Sequence, residues 1–198
     1  MGSTYLRSRL NSNHNIALDS ELFNVASLRQ HPERYLEPVD YLLRFFSQAS
    51  KARSTTAKGF KLMYGQLSIE ELDHDHWPAQ TPERIHHIIS DIRARAPSLD
   101  VLRENFEQAM QYLQENSRLK VIHLRRRNRL HTLVSTVCAF QEDNWMNLPY
   151  ETQQIQLQPE QCEVFFRETG YMEMHYSKLY ADCPAIDIYY GTCAETHN

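Results

Sequence analysis

The sequence lacks the features that mark a membrane-spanning, secreted or disulfide-stapled protein. No run approaches the roughly 18 apolar residues of a membrane-spanning helix, and no apolar core of a signal peptide stands near the start. A chain of this length folds without disulfides, and no CxxC spacing occurs among its four cysteines, Cys138, Cys162, Cys183 and Cys193. We therefore expect reduced thiols in a soluble, cytoplasmic protein that has no membrane span.

The sequence also lacks an excess of basic residues. Its 198 residues include 21 Lys and Arg against 25 Asp and Glu, which gives a formal net charge of -4 at pH 7. This balance argues against a surface built as a whole to bind nucleic acid or an anionic membrane, so any anion site must be local. Hydrophobic residues make up 41% of the chain, which is enough for the core of one globular domain.

Short apolar segments alternate along the chain with segments of helical periodicity. We predict strands over residues 16–18, 59–64, 119–124 and 185–190. We predict helices over residues 5–10, 31–49, 82–96, 99–115, 130–140 and 159–168. Alternation of this kind is typical of parallel strands joined by crossover helices. The sequence therefore predicts an α/β fold with three layers, α/β/α, around a central, mainly parallel sheet.

Basic residues are concentrated between Glu115 and Glu142, where no acidic residue occurs. The cations of this stretch are Arg118, Lys120, Arg125, Arg126, Arg127 and Arg129. If residues 119–124 form a strand, residues 125–127 stand at its carboxyl end, which is where open α/β sheets bind ligands. The sequence therefore predicts a local anion site at this edge.

A helix that is predicted to begin near Asn128 follows these arginines. The residues expected on its buried side are Leu130, Leu133, Val134 and Val137. This leaves its positive N-terminal end open to an anion. Arg127 can form two hydrogen bonds with a phosphate, and the hydroxyl of Ser135, eight residues later, can add another. The alternative is a solvated basic turn before an ordinary helix.

Two features near the start of the chain are candidates for phosphate binding and for proton transfer. Gly2, Ser3 and Thr4 open the first helix, and a turn of this composition presents backbone N–H groups and hydroxyls to a phosphate. The alternative is that Ser3 or Thr4 only caps that helix. Glu21, at the end of a buried strand, is placed to accept a proton from a substrate hydroxyl, or else is an ordinary glutamate at a helix start.

Five segments taken together resemble the PAPS-dependent sulfotransferases, and most closely the bacterial carbohydrate branch of the nodulation-factor and trehalose sulfotransferases. These segments are residues 2–6, 10–12, 19–24, 59–63 and 122–135. Their order and spacing extend over most of the chain and are more specific than any one of them. The resemblance implies a P-loop NTPase-like sulfotransferase fold. It also implies transfer of a sulfuryl group from PAPS to the hydroxyl of a carbohydrate or small-molecule acceptor.

The resemblance implies roles for individual residues. Gly2, Ser3 and Thr4 match the second half of the family's loop that binds the 5′-phosphosulfate of the donor, and Tyr5 follows them in the same segment. Arg127 and Ser135 match the pair that binds the 3′-phosphate. Glu21 matches the acidic residue that takes the acceptor's proton.

The implied chemistry relies on positioning and charge stabilisation. The expected co-substrate is PAPS, its product is PAP, and no metal ion is required. Lys61 either neutralises charge on the donor or is a structural lysine that reaches toward solvent.

The chain departs from the family's pattern at both ends. The family's first strand and the arginine before the loop's glycine would lie upstream of Met1, and Gly191 stands in the place of a usual glutamate. We therefore expect residues 1–198 to be a single sulfotransferase domain that is incomplete at both ends. The alternative is a catalytically impaired or non-catalytic fragment of the same fold that binds an adenine nucleotide or another anion.

Other interpretations have less support in the sequence. His74 and His76 can bind a transition metal, but no clear third ligand accompanies them, and a solvated loop is favoured. The P-loop kinase motif GxxxxGK[ST] does not occur. The basic cluster lacks the interleaved aromatic residues of a nucleic-acid site. Trp145 either stacks on an acceptor sugar or anchors its loop. The sequence is compatible with a homo-oligomer.

Overall fold

The computed structural model of the chain describes residues 2–48, 55–72, 83–142, 151 and 154–190. The chain divides into two compact units. Residues 3–117 form one unit, and residues 118–198 form most of the other. The expectation of a single domain stays a prediction.

Helices account for most of the described chain. Before residue 118 they are α1 (Gly2–Asn11), α2 (Val25–Gln30), α3 (Glu33–Leu36), α4 (Pro38–Ser47), α5 (Glu83–Arg95) and α6 (Leu99–Glu115), with a short 3-10 helix at Ile69–Leu72. After it they are α7 (Arg129–Gln141) and α8 (Pro159–Leu179). None of the helices in the described ranges combines the length and the apolar character that a membrane crossing requires.

Four short strands pair in parallel, two by two. β1 (Ile16–Glu21) pairs with β2 (Ala57–Lys61), and β3 (Val121–Arg126) pairs with β4 (Ala185–Tyr190). Parallel strands need a long connection, and helices supply most of it here. The α/β class with parallel strands is therefore confirmed. The strands of the described residues form two pairs, so the central sheet and its three-layer arrangement stay predictions.

The helix predicted over residues 31–49 is wrong, because the chain leaves the helical conformation in its middle. Glu37, which separates α3 from α4, has φ -137° and ψ 56°. Proline disfavours the helical conformation of the residue before it, and Pro38 then begins the next helix. The sequence analysis also missed α2, which Asn24 caps by accepting the N–H of Ser27 over 2.7 Å.

The boundaries of the other elements follow local signals. α5 and α6 lie within one residue of their predicted ranges, and Ser98 begins α6 by accepting the N–H of Val101 over 3.2 Å. β2 ends at Lys61, before its predicted end, because the chain turns soon afterwards. The helix predicted over residues 159–168 is too short, since α8 continues to Leu179.

The core of residues 3–117 lies among α2 to α6 and the 3-10 helix. Its most completely buried side chains are Phe23, Tyr35, Leu42, Leu72, Ile89, Ile92, Leu102 and Leu113. The rings of Phe23, just after β1, and Phe60, on β2, meet edge to face with centroids 5.8 Å apart. Such a pair adds stabilisation beyond that from burial of the two rings. Here it holds the carboxyl ends of β1 and β2 against each other.

The second unit buries parts of α7 and the end of α8. Leu133, Cys138 and Ala139 are buried on α7. Leu130, which was predicted to be buried with them, is 45% exposed. That prediction is wrong because Leu130 lies in the first turn of α7, where burial depends on neighbours beyond the helix, which periodicity alone does not show.

Candidate functional site

Glu21 and Lys61 face each other because β1 contains a bulge. Asp19 pairs with Phe60 in the parallel ladder, but the next pair joins Glu21 to Lys61 and leaves out Ser20. A bulge inserts one residue into one strand and re-aims the side chains that follow. In a regular ladder Ser20 would stand opposite Lys61, so the bulge is what brings the carboxylate there.

Lys61 contacts both Glu21 and Ser3. Its Nζ forms an ion pair with Glu21 Oε1 and donates a hydrogen bond to Ser3 Oγ over 3.1 Å. The side chains of Lys61 and Glu21 are only 22% and 24% exposed, so salt screens their attraction less than it would at the open surface. Three residues that the sequence singled out, from three separate segments, therefore form one contact network.

Gln66 holds the other carboxylate oxygen of Glu21. Its Nε2 donates to Glu21 Oε2 over 3.0 Å, while its Oε1 accepts the backbone N–H of Met63 over 3.0 Å. Gln66 is 4% exposed. Gln66 is not among the candidate residues that the sequence predicts. The available signal was Gly65, since a glycine just after a strand indicates a turn that can bring the next side chain back to the strand's end.

Residues 2–5, which were predicted to bind phosphate, lie in the first turn of α1. Because the helix begins at Gly2, Ser3 and Thr4 are inside it, and the interpretation of either as a simple cap is wrong. The first N–H groups of a helix have no acceptor within it. The side chains of Ser3 and Thr4 are half-buried, whereas Tyr5 is exposed. The turn therefore offers N–H groups beside the Ser3 hydroxyl that Lys61 contacts.

An open polar depression adjoins this turn. Its lining includes Thr4, Arg7, Asn11 and Asp19. The side-chain amide of Asn11 donates to Leu18 O over 2.8 Å and accepts the N–H of Leu18 over 2.6 Å. Asn11 thus binds the backbone of β1 as a neighbouring strand would, and it closes one side of the depression.

Three arginines of the basic stretch have protein partners. Arg125 forms an ion pair with Asp187 over 2.8 Å and donates to Ser177 Oγ over 2.7 Å. Arg126 donates to the carbonyl of His131 over 3.3 Å. Arg129 contacts Glu173 Oε2 over 2.7 Å and the Phe166 carbonyl over 3.2 Å. The prediction that residues 125 and 126 stand beyond their strand is wrong, because β3 continues through Arg126.

Arg127 differs from these three arginines. It is exposed, and its guanidinium carbon lies over the Tyr189 ring, 5.4 Å from the ring centre. No hydrogen bond or ion pair joins Arg127 to another residue within the described ranges. Ser135 is half-buried on α7 and stands six residues after the first residue of that helix, which is about 9 Å farther along the helix axis.

The start of α7 lies directly after Arg127. Asn128 caps the helix by accepting the N–H of His131 over 3.1 Å. Arg127, Asn128 and Leu130 line a second open depression together with Phe166 of α8. Arg127 and the first residues of α7 therefore line the same depression.

One titratable group near these arginines has a shifted pKa. His123, on β3, is 8% exposed, and burial lowers its pKa below the ordinary value of 6.5. The charge of Arg125 lowers this pKa further, while Asp187 raises it by a smaller amount. The neutral form of His123 is therefore favoured in the folded chain.

Some candidate residues of the sequence lie outside the described residues. They are His74, His76, Trp145 and Gly191.

Comparisons of the chain with protein-family models, with curated proteins and with solved structures found no match.

Proposed function

We propose that this chain is a PAPS-dependent sulfotransferase that transfers a sulfuryl group to a hydroxyl of a carbohydrate or small-molecule acceptor. The observation that supports this most directly is the contact network of Ser3, Lys61 and Glu21. It combines a hydroxyl, a cation and a carboxylate, which are the groups that a phosphosulfate donor and an acceptor hydroxyl require.

The donor side of the proposed site consists of Ser3, Lys61 and the first turn of α1. An anion at this turn gains the N–H donors of a helix start and the ammonium charge of Lys61. The Ser3 hydroxyl accepts from Lys61 and keeps its own proton to donate. When the bond between sulfur and the donor oxygen breaks, negative charge develops on the leaving phosphate. Fixed donors of this kind stabilise such charge.

The acceptor side of the proposed site is Glu21. As the new bond between sulfur and the acceptor oxygen forms, the hydroxyl proton passes to the carboxylate and PAP leaves. Each carboxylate oxygen has two lone pairs, so Oε1 and Oε2 each keep an acceptor position beside Lys61 and Gln66. The polar depression lined by Thr4 and Asp19 supplies hydrogen-bonding groups for an acceptor with several hydroxyls.

Arg127 and Ser135 are the proposed contacts of the 3′-phosphate. Arg127 supports this role because its N–H donors are not engaged by other described residues, while the Tyr189 ring holds one face of its guanidinium. The edge of the guanidinium stays available for the two parallel hydrogen bonds that arginine forms with a phosphate.

A non-catalytic protein of the same fold that binds an adenine nucleotide or another anion is the second candidate. The observation that favours it is that Lys61 and Gln66 already hold both oxygens of Glu21. Such an arrangement also suits a carboxylate with a purely structural role.

Transfer from ³⁵S-labelled PAPS to a panel of mono- and disaccharides distinguishes the two candidates, with PAP binding measured by calorimetry. The variant Glu21→Gln keeps the shape of the side chain but cannot take a proton. We expect it to bind PAP within about twofold of the wild type and to lose about 100-fold or more in turnover. The exposed Glu104→Gln is the matched control. PAP binding without any transfer by the wild type favours the second candidate. Absence of PAP binding contradicts the sulfotransferase and leaves, of the second candidate, only binding of another anion.

A further inference from the structure

The turn after β2 holds a buried glutamine against Glu21. The backbone N–H of Gln66 donates to the Met63 carbonyl over 3.2 Å, and the side chain of Gln66 accepts the Met63 N–H in return. Gly65 has φ 92°, a value that glycine adopts without strain. Gln66 is thus tied to Met63 through both its backbone and its side chain.

The residue after Gln66 shows that this turn is held by its surroundings. Leu67 has φ 62°, in the left-handed region that a bulky residue rarely adopts, and its side chain is buried. Strained backbone of this kind persists only where neighbouring contacts determine the conformation. The turn is therefore held by the contacts of Gln66 with Met63 and by the buried side chain of Leu67.

The orientation of the Gln66 amide is also determined. Its Oε1 accepts the Met63 N–H, so a flipped amide would set its NH₂ group against another donor. Nε2 must therefore face Glu21 Oε2, to which it donates. A buried donor aimed at one carboxylate oxygen fixes both the place and the rotation of that carboxylate.

We infer that Gln66 is the positioning residue of Glu21 in the transfer reaction, an inference that rests on the proposed function. The other partner of Glu21 is Lys61, whose ammonium sits on a flexible four-carbon stem and also serves the donor anion. Gln66 comes from a fixed turn and keeps the carboxylate in place whichever partner Lys61 contacts. It acts through Glu21 and touches neither donor nor acceptor.

The test compares Gln66→Met with the matched control Gln111→Met in the full chain. Methionine has nearly the shape of glutamine but makes neither of its hydrogen bonds. The control removes a glutamine that donates to Glu115 over 2.7 Å on the exposed face of α6. A displaced catalytic group costs up to about 100-fold in rate. We therefore expect Gln66→Met to lower kcat by about 10- to 100-fold, with KM for PAPS and PAP affinity within twofold of the wild type, and the control to change neither.

A second measurement keeps the inference testable if Gln66→Met does not fold. In the wild-type protein and in Glu21→Gln, nuclear magnetic resonance reports the side-chain amide of Gln66. We expect its resonances to move when the carboxylate is replaced, while those of Gln111 stay in place. Unmoved Gln66 resonances overturn the inference.

The outcomes separate this inference from the proposed function. If the wild type transfers sulfate and Gln66→Met has the same kcat, or changes only in KM, the role of Gln66 is overturned and the proposed function stands. If the wild type transfers no sulfate, the proposed function fails, and the role of Gln66 in catalysis fails with it.

Discussion

At the scale of single residues, neighbouring arginines differ in whether other residues of the chain occupy their hydrogen-bond donors. Three of them donate hydrogen bonds to carboxylates, hydroxyls and carbonyls of the chain, namely Arg125, Arg126 and Arg129. Arg127 carries the same charge but contacts only the face of an aromatic ring among the described residues. The resemblance to the PAPS-dependent sulfotransferases selected Arg127 from this group, and the contacts of its neighbours are consistent with that prediction.

Substitution of Arg127 should weaken the binding of a 3′-phosphate specifically. Hydrogen bonds to a charged group contribute about 1.5–3 kcal/mol, so we expect Arg127→Ala to lower PAP affinity by about 10- to 100-fold in calorimetry. Adenosine 5′-phosphate lacks the 3′-phosphate, and its affinity should stay the same. The control Arg103→Ala removes an exposed arginine paired with Asp100. Equal PAP affinity of Arg127→Ala and the wild type contradicts the assignment.

His123 should make the folded state sensitive to acid. Burial lowers its pKa in the folded chain, so the unfolded chain binds a proton more readily near and below pH 6.5, and the stability that His123 contributes is lost as the pH falls. We expect the free energy of unfolding of the wild type, measured by urea denaturation, to decrease between pH 7.5 and pH 5.5. The decrease should be smaller in His123→Leu, and equal decreases in the two proteins contradict this role.

The residues of the Glu21 site differ in how far the sequence could reveal them. Ser3, Glu21 and Lys61 stand at strand and helix ends that hydrophobic periodicity locates, so they could be selected as candidates. Gln66 was not selected, because Gly65 indicates a turn but shows neither the path of that turn nor the burial of the residue after it. Both are properties of the folded chain, and the identity of a polar residue in a loop does not indicate them.

At the scale of elements, Arg129 ties the first turn of α7 to the middle of α8. It reaches Glu173 and the carbonyl of Phe166. Gly170 leaves room for it, because a Cβ at this position would stand 3.2 Å from Arg129 Nη1. A glycine in the middle of a helix costs stability, and a Cβ at this one would require the Arg129 guanidinium to move by a few tenths of an ångström.

Loss of Arg129 should weaken the contact between these two helices. Glu173 is only 14% exposed, so Arg129→Met leaves a mostly buried carboxylate without its charge partner. We expect a loss of about 1–3 kcal/mol in the free energy of unfolding, with a smaller loss in Arg129→Lys. Arg103→Met breaks an exposed pair and should change stability by less than about 0.5 kcal/mol. Equal effects of Arg129→Met and Arg103→Met contradict the prediction.

Asn11 should stabilise the outer edge of β1. Its amide makes two hydrogen bonds with the backbone of Leu18, and one such bond contributes about 0.5–1.5 kcal/mol net. We therefore expect Asn11→Ala to lower the free energy of unfolding by about 1–2 kcal/mol in chemical denaturation. Asn11→Asp keeps the acceptor of the Leu18 N–H, so its free energy of unfolding should lie between those of the wild type and Asn11→Ala. A loss in Asn11→Asp as large as in Asn11→Ala contradicts the two-bond account.

The elements show where sequence patterns succeed and where they fail. α6 and β4 were predicted with their observed bounds, because long periodic or apolar segments between breakers leave few alternatives. The interruption at Glu37 was missed although Pro38 signals it. The bulge at Ser20 has no sequence signal of its own, since it depends on which residue of β2 faces which residue of β1.

At the scale of the whole molecule, net charge sets the long-range behaviour and leaves anion binding to local groups. The chain carries -4 at pH 7, and its sequence pI is near 6.2. The net charge therefore passes through zero just below neutrality.

This charge balance should give a solubility minimum slightly below neutral pH. Proteins associate most readily where their net charge vanishes. We expect turbidity of concentrated protein to peak within about half a pH unit of the pI near 6.2 and to decrease on both sides. A pH scan from 5 to 8 with light scattering measures it, and a steady trend without a maximum contradicts the expectation.

The bulge in β1 also has a consequence for how substitutions along this strand should be tolerated. A strand alternates its two faces with every residue, and one extra residue inverts that parity from the bulge onward. The face of the strand on which odd-numbered and even-numbered residues lie is therefore exchanged at Ser20. Because β1 ends at Glu21, this residue alone takes the face that Ser20 would have in a regular strand, and deletion of Ser20 should keep the carboxylate opposite Lys61 in a ladder without a bulge.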